Sequence, residues 1–214
     1  MTEPTVREQL LLRLERAGAS VDPSAAAALD DYFSLLARWN PKVNLTALPL
    51  DPPGDETFDR LLVEPVLAAE HLEPSNLRGT PLTWIDLGSG GGSPAIPLKI
   101  VRPSWALTMV EARERKAAFL REAIRSLHLH GAAVENVRFE RFEGRSRADI
   151  VTTRAVKLDS ALGEAIRLVL KRDGILAVFG SSEASLSGFI VQKSVSLIPQ
   201  STTVLTVLRV PRGT

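Results

Sequence analysis

The stretch TWIDLGSGGGSP, residues 83–94, decides the fold of this chain. An apolar run leads directly into a series of glycines, and Pro94 suits the first turn of a helix behind them. Glycine tolerates positive φ and leaves the main chain bare, so a ligand can lie directly against it. The stretch therefore predicts a buried strand, a ligand-binding turn and a helix, in that order.

The spacing of the glycines argues against a dinucleotide. A nicotinamide-binding turn follows the pattern G-x-G-x-x-G, whereas Ser93 stands at the last position here and an acidic residue, Asp86, precedes the first glycine. Glu111 follows the next apolar run, residues 106–110, at about the distance at which a carboxylate meets ribose hydroxyls. The turn and Glu111 together predict a nucleoside cofactor, and the alternative is a tight turn with a structural role alone.

From residue 82 onward, short apolar runs alternate with amphipathic helical patterns, as expected for right-handed crossovers in a parallel sheet. The predicted strands cover residues 82–87, 106–110, 137–142, 150–153 and 175–179, and the predicted helices cover residues 95–101, 113–127 and 160–170. Two further β-like runs, 188–197 and 203–210, suggest a final antiparallel pair. We therefore predict a doubly wound, Rossmann-like α/β fold with a mostly parallel seven-stranded sheet.

The beginning of the chain shows helical patterns only, which predicts an N-terminal helical cap on the α/β core. One amphipathic helix ends near Gly18, a second begins at Asp22 and is predicted to end at Asn40-Pro41, and a third contains a kink at Pro65. The predicted domains are a helical extension packed on the core, residues 1–78, and the cofactor-binding core, residues 79–214.

The composition excludes several classes of protein. The 214 residues include no cysteine, which rules out disulfides and thiolate chemistry, and His71, His128 and His130 lack nearby acidic partners for a metal. The chain shows no signal-peptide run and no stretch long enough to span a bilayer, so we expect a cytoplasmic protein without a membrane partner. We also expect a monomer that binds no metal. Because the net charge is only +1, any contact with nucleic acid must come from a local basic patch.

The ends of the third and fourth predicted strands meet the same crevice, because the carboxyl ends of parallel strands share one edge of the sheet. Phe142 and Glu143 would lie beside the adenine edge, although a core Phe142 next to a solvated Glu143 explains the pattern equally well. Arg154 would meet a cofactor carboxylate or a substrate phosphate, and a plain surface arginine is the alternative.

Several motifs occur in the order found in one known family, over roughly residues 30–180. They are WNPKVNLTA at 39–47, GSGGGSPAIPL at 88–98, VEAR at 110–113 with Lys116, FLRE at 119–122, RFE at 141–143 and TRAV at 153–156. In these motifs the chain resembles the ribosomal RNA small subunit methyltransferase G family, also called glucose-inhibited division protein B, which methylates guanine N7 in 16S ribosomal RNA. The resemblance implies a class I methyltransferase fold and S-adenosyl-L-methionine as the cofactor.

The motifs and the resemblance together assign residues to the site. The residues expected to contact the cofactor are Gly88, Ser89, Gly90, Ser93, Glu111 at the ribose, Phe142, Glu143 and Arg154. The residues expected to contact the partner, which is 16S rRNA or the small ribosomal subunit, are Asn44, Thr46, Arg113 and again Arg154. No catalytic residue is predicted, because guanine N7 loses no proton on methylation.

A basic patch beside the predicted crevice is the candidate RNA-binding surface. Its remaining members are Arg115, Lys116, Arg121, Arg125, Arg138, Arg141, Arg145 and Arg147. These side chains would neutralise phosphates, although the acidic residues between them also fit a solvated face of mixed charge.

The chain departs from the family pattern at three places. RLLVE at 60–64 stands where the family has a His and an Asp-Ser pair, SPA at 93–95 replaces Phe-Pro-Gly, and FG at 179–180 replaces Lys-Gly. These departures concern the expected substrate-binding side of the site more than the cofactor-binding side. Two alternatives therefore stay open, namely a methyltransferase for a small molecule or a protein, and a non-catalytic protein that binds RNA or the cofactor.

Overall fold

The computed structural model describes residues 5–72, 81–143, 147–199 and 201–211. Its seven strands form one sheet in the order β3-β2-β1-β4-β5-β7-β6. They are β1 Thr83–Leu87, β2 Ala106–Val110, β3 Ala132–Glu135, β4 Ala148–Arg154, β5 Leu170–Gly180, β6 Ile190–Ser196 and β7 Val204–Arg209. The first five strands are parallel, and β7 runs antiparallel to both β5 and β6. The predicted doubly wound α/β fold and its antiparallel pair are confirmed.

The described helices precede the sheet or connect its strands. They are α1 Val6–Arg16, α2 Pro23–Val43, α3 Asp55–Phe58, α4 Glu64–Ala68, α5 Ala95–Val101, α6 Glu114–Ser126 and α7 Ser160–Val169. None of these helices combines the length and the apolar character needed to cross a membrane.

The first two helices begin and end largely as their sequences indicate. Thr5 and Glu8 form a reciprocal capping box at the start of α1, and Gly18 adopts positive φ just beyond its end. The prediction that α2 ends at Asn40-Pro41 is wrong, because the helix continues to Val43. Pro41 lies in the last turn, where it removes a single N–H donor, and the left-handed Asn44 then ends the helix.

The kink predicted at Pro65 takes the form of a widened turn. A π-helical turn, Asp59–Val63, joins α3 to α4, and Pro65 occupies the first turn of α4. Because α4 continues directly from this turn, Pro65 offers no N–H to the carbonyls of the turn before it.

The third strand lies elsewhere than predicted. The structure places β3 at Ala132–Glu135, and residues 137–142 contain a 3-10 turn, Phe139–Arg141. The rings of Phe139 and Phe142 stack at 6.2 Å and pack against the core, so the apolar residues of this segment reflect packing rather than strand pairing. Because β3 is an edge strand rich in alanine, its sequence shows little of the β-branched character by which strands are recognised.

The helical extension and the sheet share one buried cluster. Leu10 and Leu29 from α1 and α2 belong to the same cluster as Trp84 and Trp105, whose rings meet edge to face at 6.3 Å. A second cluster fills the opposite face of the sheet beneath α7. The boundary predicted between residues 78 and 79 lies outside the described residues.

Candidate functional site

The strand order reverses between β1 and β4, and a crevice opens there at the carboxyl ends of the strands. Ligands of doubly wound sheets bind at such a switch point. A cavity of about 480 Å³ occupies it, a size typical of small-molecule sites. The predicted site residues that line this cavity are Gly88, Ser89, Gly90, Ser93, Glu111, Arg154, Thr46 and Arg113.

The glycine turn begins where β1 ends. The amides of Gly88 and Ser89 both donate to the carbonyl of Val110, at 2.9 and 3.3 Å, which ties the turn to the end of β2. Gly88 has a φ of +67°, and a Cβ there would lie 2.9 Å from the Val156 side chain. The left-handed conformation therefore favours glycine at this position, and a larger residue would also have to displace the Val156 side chain.

The Glu111 side chain faces the turn. One carboxylate oxygen accepts from the amide of Gly90 at 2.9 Å, and the other accepts from the amide of Arg113 at 2.8 Å. A carboxylate has about four acceptor positions, so two remain for hydroxyl groups of a ligand. The predicted juxtaposition of the bare main chain and an acidic residue from the next strand is thus present in the structure.

Asp86 is buried beneath the same turn. Its Oδ1 accepts from the hydroxyl of Thr152 at 2.5 Å, and that hydroxyl oxygen accepts from the indole N–H of Trp84 at 2.8 Å. Its Oδ2 is buried without a hydrogen-bond partner among the described residues. Burial raises the pKa of Asp86 from its ordinary value of 3.8 to about 6.

Arg154 is held in place at the end of β4. Its guanidinium donates to the Glu64 carboxylate at 2.9 Å and to the main-chain carbonyl of Arg60, and it lies 4.8 Å from the centre of the Phe179 ring. Only 12% of its side chain is exposed, so the alternative of a plain surface arginine is wrong. Burial lowers the pKa of Arg154 to about 10, which leaves the group positively charged at neutral pH.

Ser93 joins the turn to the helical extension. Its hydroxyl contacts the carbonyl oxygens of Leu61 and Arg60 at 3.0 and 3.3 Å, in the π-helical turn. Both this hydroxyl and the Arg154 guanidinium therefore contact the main-chain carbonyl of Arg60. Residues 60–64, where the chain departs from the family pattern, form one wall of the crevice through these contacts.

Three predicted site residues, Phe142, Glu143 and Asn44, are not among the described residues that line the cavity. Phe142 and Glu143 were placed at the adenine edge by a predicted strand at 137–142 and by the family resemblance, and the structure has a 3-10 turn in that segment instead of the strand. Phe142 packs against the core, which is the second interpretation of this segment. Asn44 ends α2 in an exposed left-handed conformation.

The Asn-Leu-Thr segment is shaped by a residue that sequence reasoning did not assign. The side-chain oxygen of Asn40 accepts from the amides of Leu45 and Thr46 at 2.8 and 3.0 Å, which turns the chain toward the cavity. Leu45 and Leu36 line the cavity beside Thr46. Asparagine one helical turn before a helix end is the signal that could have identified this turn.

The basic residues near the cavity differ in their surroundings. Arg113 and Lys116 line the cavity itself, at the start of α6. Arg125, farther along α6, pairs with Glu122 at 2.7 Å. The exposed remainder of the set is Arg115, Arg121, Arg138, Arg141 and Arg147, and Arg145 lies outside the described residues.

The cavity offers three kinds of polar group to a ligand. Main-chain amides and carbonyls of the turn, the carboxylate of Glu111 and the cations of Arg113, Lys116 and Arg154 surround it. Across the described part of the chain, no group of three or more His, Asp or Glu side chains is placed to hold a metal ion. The arrangement suits an organic ligand that has hydroxyl groups and a charged end.

Comparison with known proteins places the chain beside one group of enzymes. A family model described as rRNA small subunit methyltransferase G matches residues 25–188. A protein named ribosomal RNA small subunit methyltransferase G from Xanthomonas euvesicatoria is 33% identical over 208 residues, 95% of this chain and 89% of that relative. Relatives of the same name from Xanthomonas oryzae and Laribacter hongkongensis are 34% and 30% identical, over 99% and 96% of this chain and 93% and 92% of their own length.

Solved structures are similar in fold alone. TYW2 from P. horikoshii in complex with MeSAdo has a TM-score of 0.52 and 15% identity, over 70% of this chain and 62% of that chain. A ribosomal protein L11 methylase from Lactobacillus delbrueckii subsp. bulgaricus has a TM-score of 0.50 and 13% identity, over 70% of this chain and 78% of that chain. At such low identity, these similarities show a shared arrangement of the sheet and its helices and nothing further.

Proposed function

The chain belongs to the rRNA small subunit methyltransferase G family, and from this premise we propose that it transfers a methyl group from S-adenosylmethionine to guanine N7 of 16S ribosomal RNA. The family and the class I methyltransferase fold make it an S-adenosylmethionine-dependent enzyme. One observation carries the proposal. The Glu111 carboxylate accepts a hydrogen bond from the amide of Gly90 at 2.9 Å, and both residues line a single cavity.

The residues present fit the cofactor. The turn leaves space for a ligand, since a Cβ at Gly90 would find its nearest neighbours at 3.6 and 3.9 Å, within ordinary contact distance. Glu111 would hold the ribose hydroxyls, Gly88 and Ser93 would lie along the methionine portion, and Arg154 would face its carboxylate. Phe142, Glu143 and Asn44 are not among the described residues that line the cavity, and their part in the site stays a prediction.

The reaction requires alignment more than proton transfer. S-adenosylmethionine supplies an electrophilic methyl group on a positively charged sulfur. Guanine N7 has a lone pair and loses no proton on methylation, so the protein needs no general base. Leu36, Leu45 and Leu61 line one side of the cavity and reduce the access of water, which favours in-line attack by a positioned base.

RNA would approach over the basic rim of the cavity. Arg113 and Lys116 stand at the start of α6, and Thr46 faces them from the extension. Their cations would neutralise phosphates and fix the orientation of the target strand, without reading its sequence.

Methyl transfer to isolated ribosomal RNA tests the proposal. Purified protein would be incubated with labelled S-adenosylmethionine and either 16S rRNA or small subunits from cells that lack this methylation, and the nucleosides would be separated and identified by mass. We expect label in 7-methylguanosine. Binding of the cofactor without transfer to either RNA would contradict the proposed substrate, and RNA binding without any cofactor binding would indicate a non-catalytic protein.

The remaining features of the proposal concern the state of the enzyme. We expect a cytoplasmic monomer that needs no metal, with residues 1–78 as a helical extension of the core at 79–214. The hydrophobic cluster that the extension shares with the sheet supports the packing of the extension on the core. Light scattering during gel filtration measures the mass, and activity that persists in a chelator would agree with metal independence.

A further inference from the structure

Tyr32, in the helical extension, donates a hydrogen bond into the glycine turn. Its hydroxyl lies 2.7 Å from the carbonyl oxygen of Gly91, 59 residues along the chain, and its side chain is fully buried. We propose that Tyr32 is a positioning residue that holds the turn in its cofactor-binding conformation. The inference rests on the proposed function, in which this turn binds S-adenosylmethionine, and it gives the extension a part in cofactor affinity.

The turn needs an outside restraint because three consecutive glycines form its centre. Gly90 and Gly92 adopt φ values of +53° and +89°, and without Cβ atoms their peptide planes rotate with little steric resistance. The peptide that joins Gly91 to Gly92 is held at both ends. Its carbonyl accepts from Tyr32 at 2.7 Å, and its N–H donates to the carbonyl of Ser89 at 2.6 Å. Rotation of this peptide would break both hydrogen bonds.

Packing of α2 against the turn supports the same role. A Cβ on Gly91 would lie 3.2 Å from the carbonyl oxygen of Leu45 and 3.3 Å from the Leu36 side chain, so the extension lies directly against the main chain. Burial raises the pKa of Tyr32 above its ordinary value, so the phenol stays protonated and donates throughout the physiological range. Tyr32 itself is not among the described residues that line the cavity.

The restraint acts through the entropy of the free protein. A glycine turn that samples several peptide orientations must be ordered when a ligand binds, and that ordering weakens the observed affinity. The Tyr32 hydroxyl removes most of those orientations before binding. Its loss would also leave the half-buried Gly91 carbonyl without this donor, which favours other conformations of the turn.

The matched pair Tyr32→Phe and Thr57→Val tests the inference. Thr57 is also fully buried in the extension, and its hydroxyl donates at 2.8 Å to the carbonyl of Pro49, which is not part of the glycine turn. Each substitution removes one buried hydroxyl that donates to a main-chain carbonyl. We expect similar losses of stability, but only Tyr32→Phe weakens S-adenosylmethionine binding in calorimetry, by roughly fivefold to tenfold.

Hydrogen exchange gives a second measurement, on the cofactor-free protein. The Gly92 amide should exchange faster in Tyr32→Phe than in Thr57→Val, because only the former releases the peptide. If Tyr32→Phe does not fold, Gly91→Ala keeps the phenol but crowds the contact of the turn with Leu45 and Leu36 by a few tenths of an ångström, and it should weaken binding as well.

The outcomes separate the two levels of the proposal. Failure of the unaltered protein to bind S-adenosylmethionine would overturn the proposed function itself. If the unaltered protein binds and Tyr32→Phe binds equally well, or Thr57→Val is weakened to the same degree, the positioning role is wrong. Equal affinity of a folded Gly91→Ala would contradict it too.

Discussion

The guanidinium of Arg154 lies 2.9 Å from the carboxylate of Glu64, 90 residues earlier in the chain, and the two form a buried ion pair beside the crevice. The other carboxylate oxygen of Glu64 accepts from the hydroxyl of Ser201 at 2.6 Å. Glu64 stands in the segment that departs from the family pattern. That departure therefore supplies Arg154 with an acidic partner.

Glu64→Gln should lower the free energy of unfolding by about 3–5 kcal/mol, because it leaves the Arg154 charge buried without its counter-ion. Urea denaturation at neutral pH measures the change. The matched control is Glu56→Gln, since Glu56 pairs with Arg60 at 3.2 Å on the exposed surface and should contribute little. Equal free energies of unfolding for the two variants would show that the buried pair contributes no more to stability than the exposed one.

Asp86→Asn should stabilise the protein at neutral pH. Burial raises the pKa of Asp86 from 3.8 to about 6, so the folded state holds a proton that the unfolded state releases between these values. Stability is therefore lost as pH rises through this window, and the neutral amide avoids part of this loss of about 3 kcal/mol, because its own N–H groups meet no acceptor where Oδ2 lies. Thermal unfolding at pH 4 and pH 7.5 should show the gain only at the higher value.

Asp149→Asn is the control of opposite sign. Burial acts to raise the pKa of Asp149, but hydrogen bonds from Lys171 and Thr83 outweigh it and hold the pKa below its ordinary value. Its carboxylate therefore contributes stability above the ordinary pKa, and the amide should destabilise the protein at pH 7.5. The same direction of change for both variants would refute this account of the two carboxylates.

Glu111→Gln should weaken S-adenosylmethionine binding by roughly tenfold to a hundredfold, because hydrogen bonds from the ribose hydroxyls to a charged acceptor are lost. Titration calorimetry gives the Kd. Glu114→Gln, an exposed change in the first turn of α6, serves as the control and should leave the Kd unaltered. A Kd unaffected by the change at Glu111 would remove that residue from the cofactor site.

Arg113→Gln should reduce both the RNA affinity and its dependence on salt, because one phosphate contact fewer releases fewer counterions. The slope of log K against log salt should become shallower by about 0.7–0.9. Fluorescence anisotropy with a fragment of 16S rRNA measures the slope. The exposed Arg167 on α7 provides the control, and an equal effect of Arg167→Gln would indicate diffuse attraction instead of a defined rim.

The parts of the molecule that the sequence predicted are those determined by local patterns. The run from Thr83 to Pro94 contains the strand, the turn and the start of the helix within a dozen residues, and Glu111 is found by counting to the end of the next strand. The edge strand β3 was misplaced because Val137 and Phe139 alternate like a strand while their side chains pack in the core.

Contacts between distant segments could not be predicted in the same way. The partners Glu64 and Arg154 are 90 residues apart, and Tyr32 and Gly91 are 59 residues apart. Each pair depends on how the extension packs against the sheet, which no local periodicity encodes. The cavity wall at residues 60–64 was for this reason recognised only as a departure from the family pattern.

The proposed site requires S-adenosylmethionine to lie against the main chain at Gly88, and titration calorimetry with Gly88→Arg tests this directly. Gly18→Arg is the matched control, because Gly18 has a similar φ of +74° but nothing within 4 Å of a Cβ there, whereas Gly88 lines the cavity. We predict equal cofactor affinity for the unaltered protein and Gly18→Arg, and no binding by a folded Gly88→Arg. A folded Gly88→Arg that binds as tightly as the unaltered protein would contradict the proposed site.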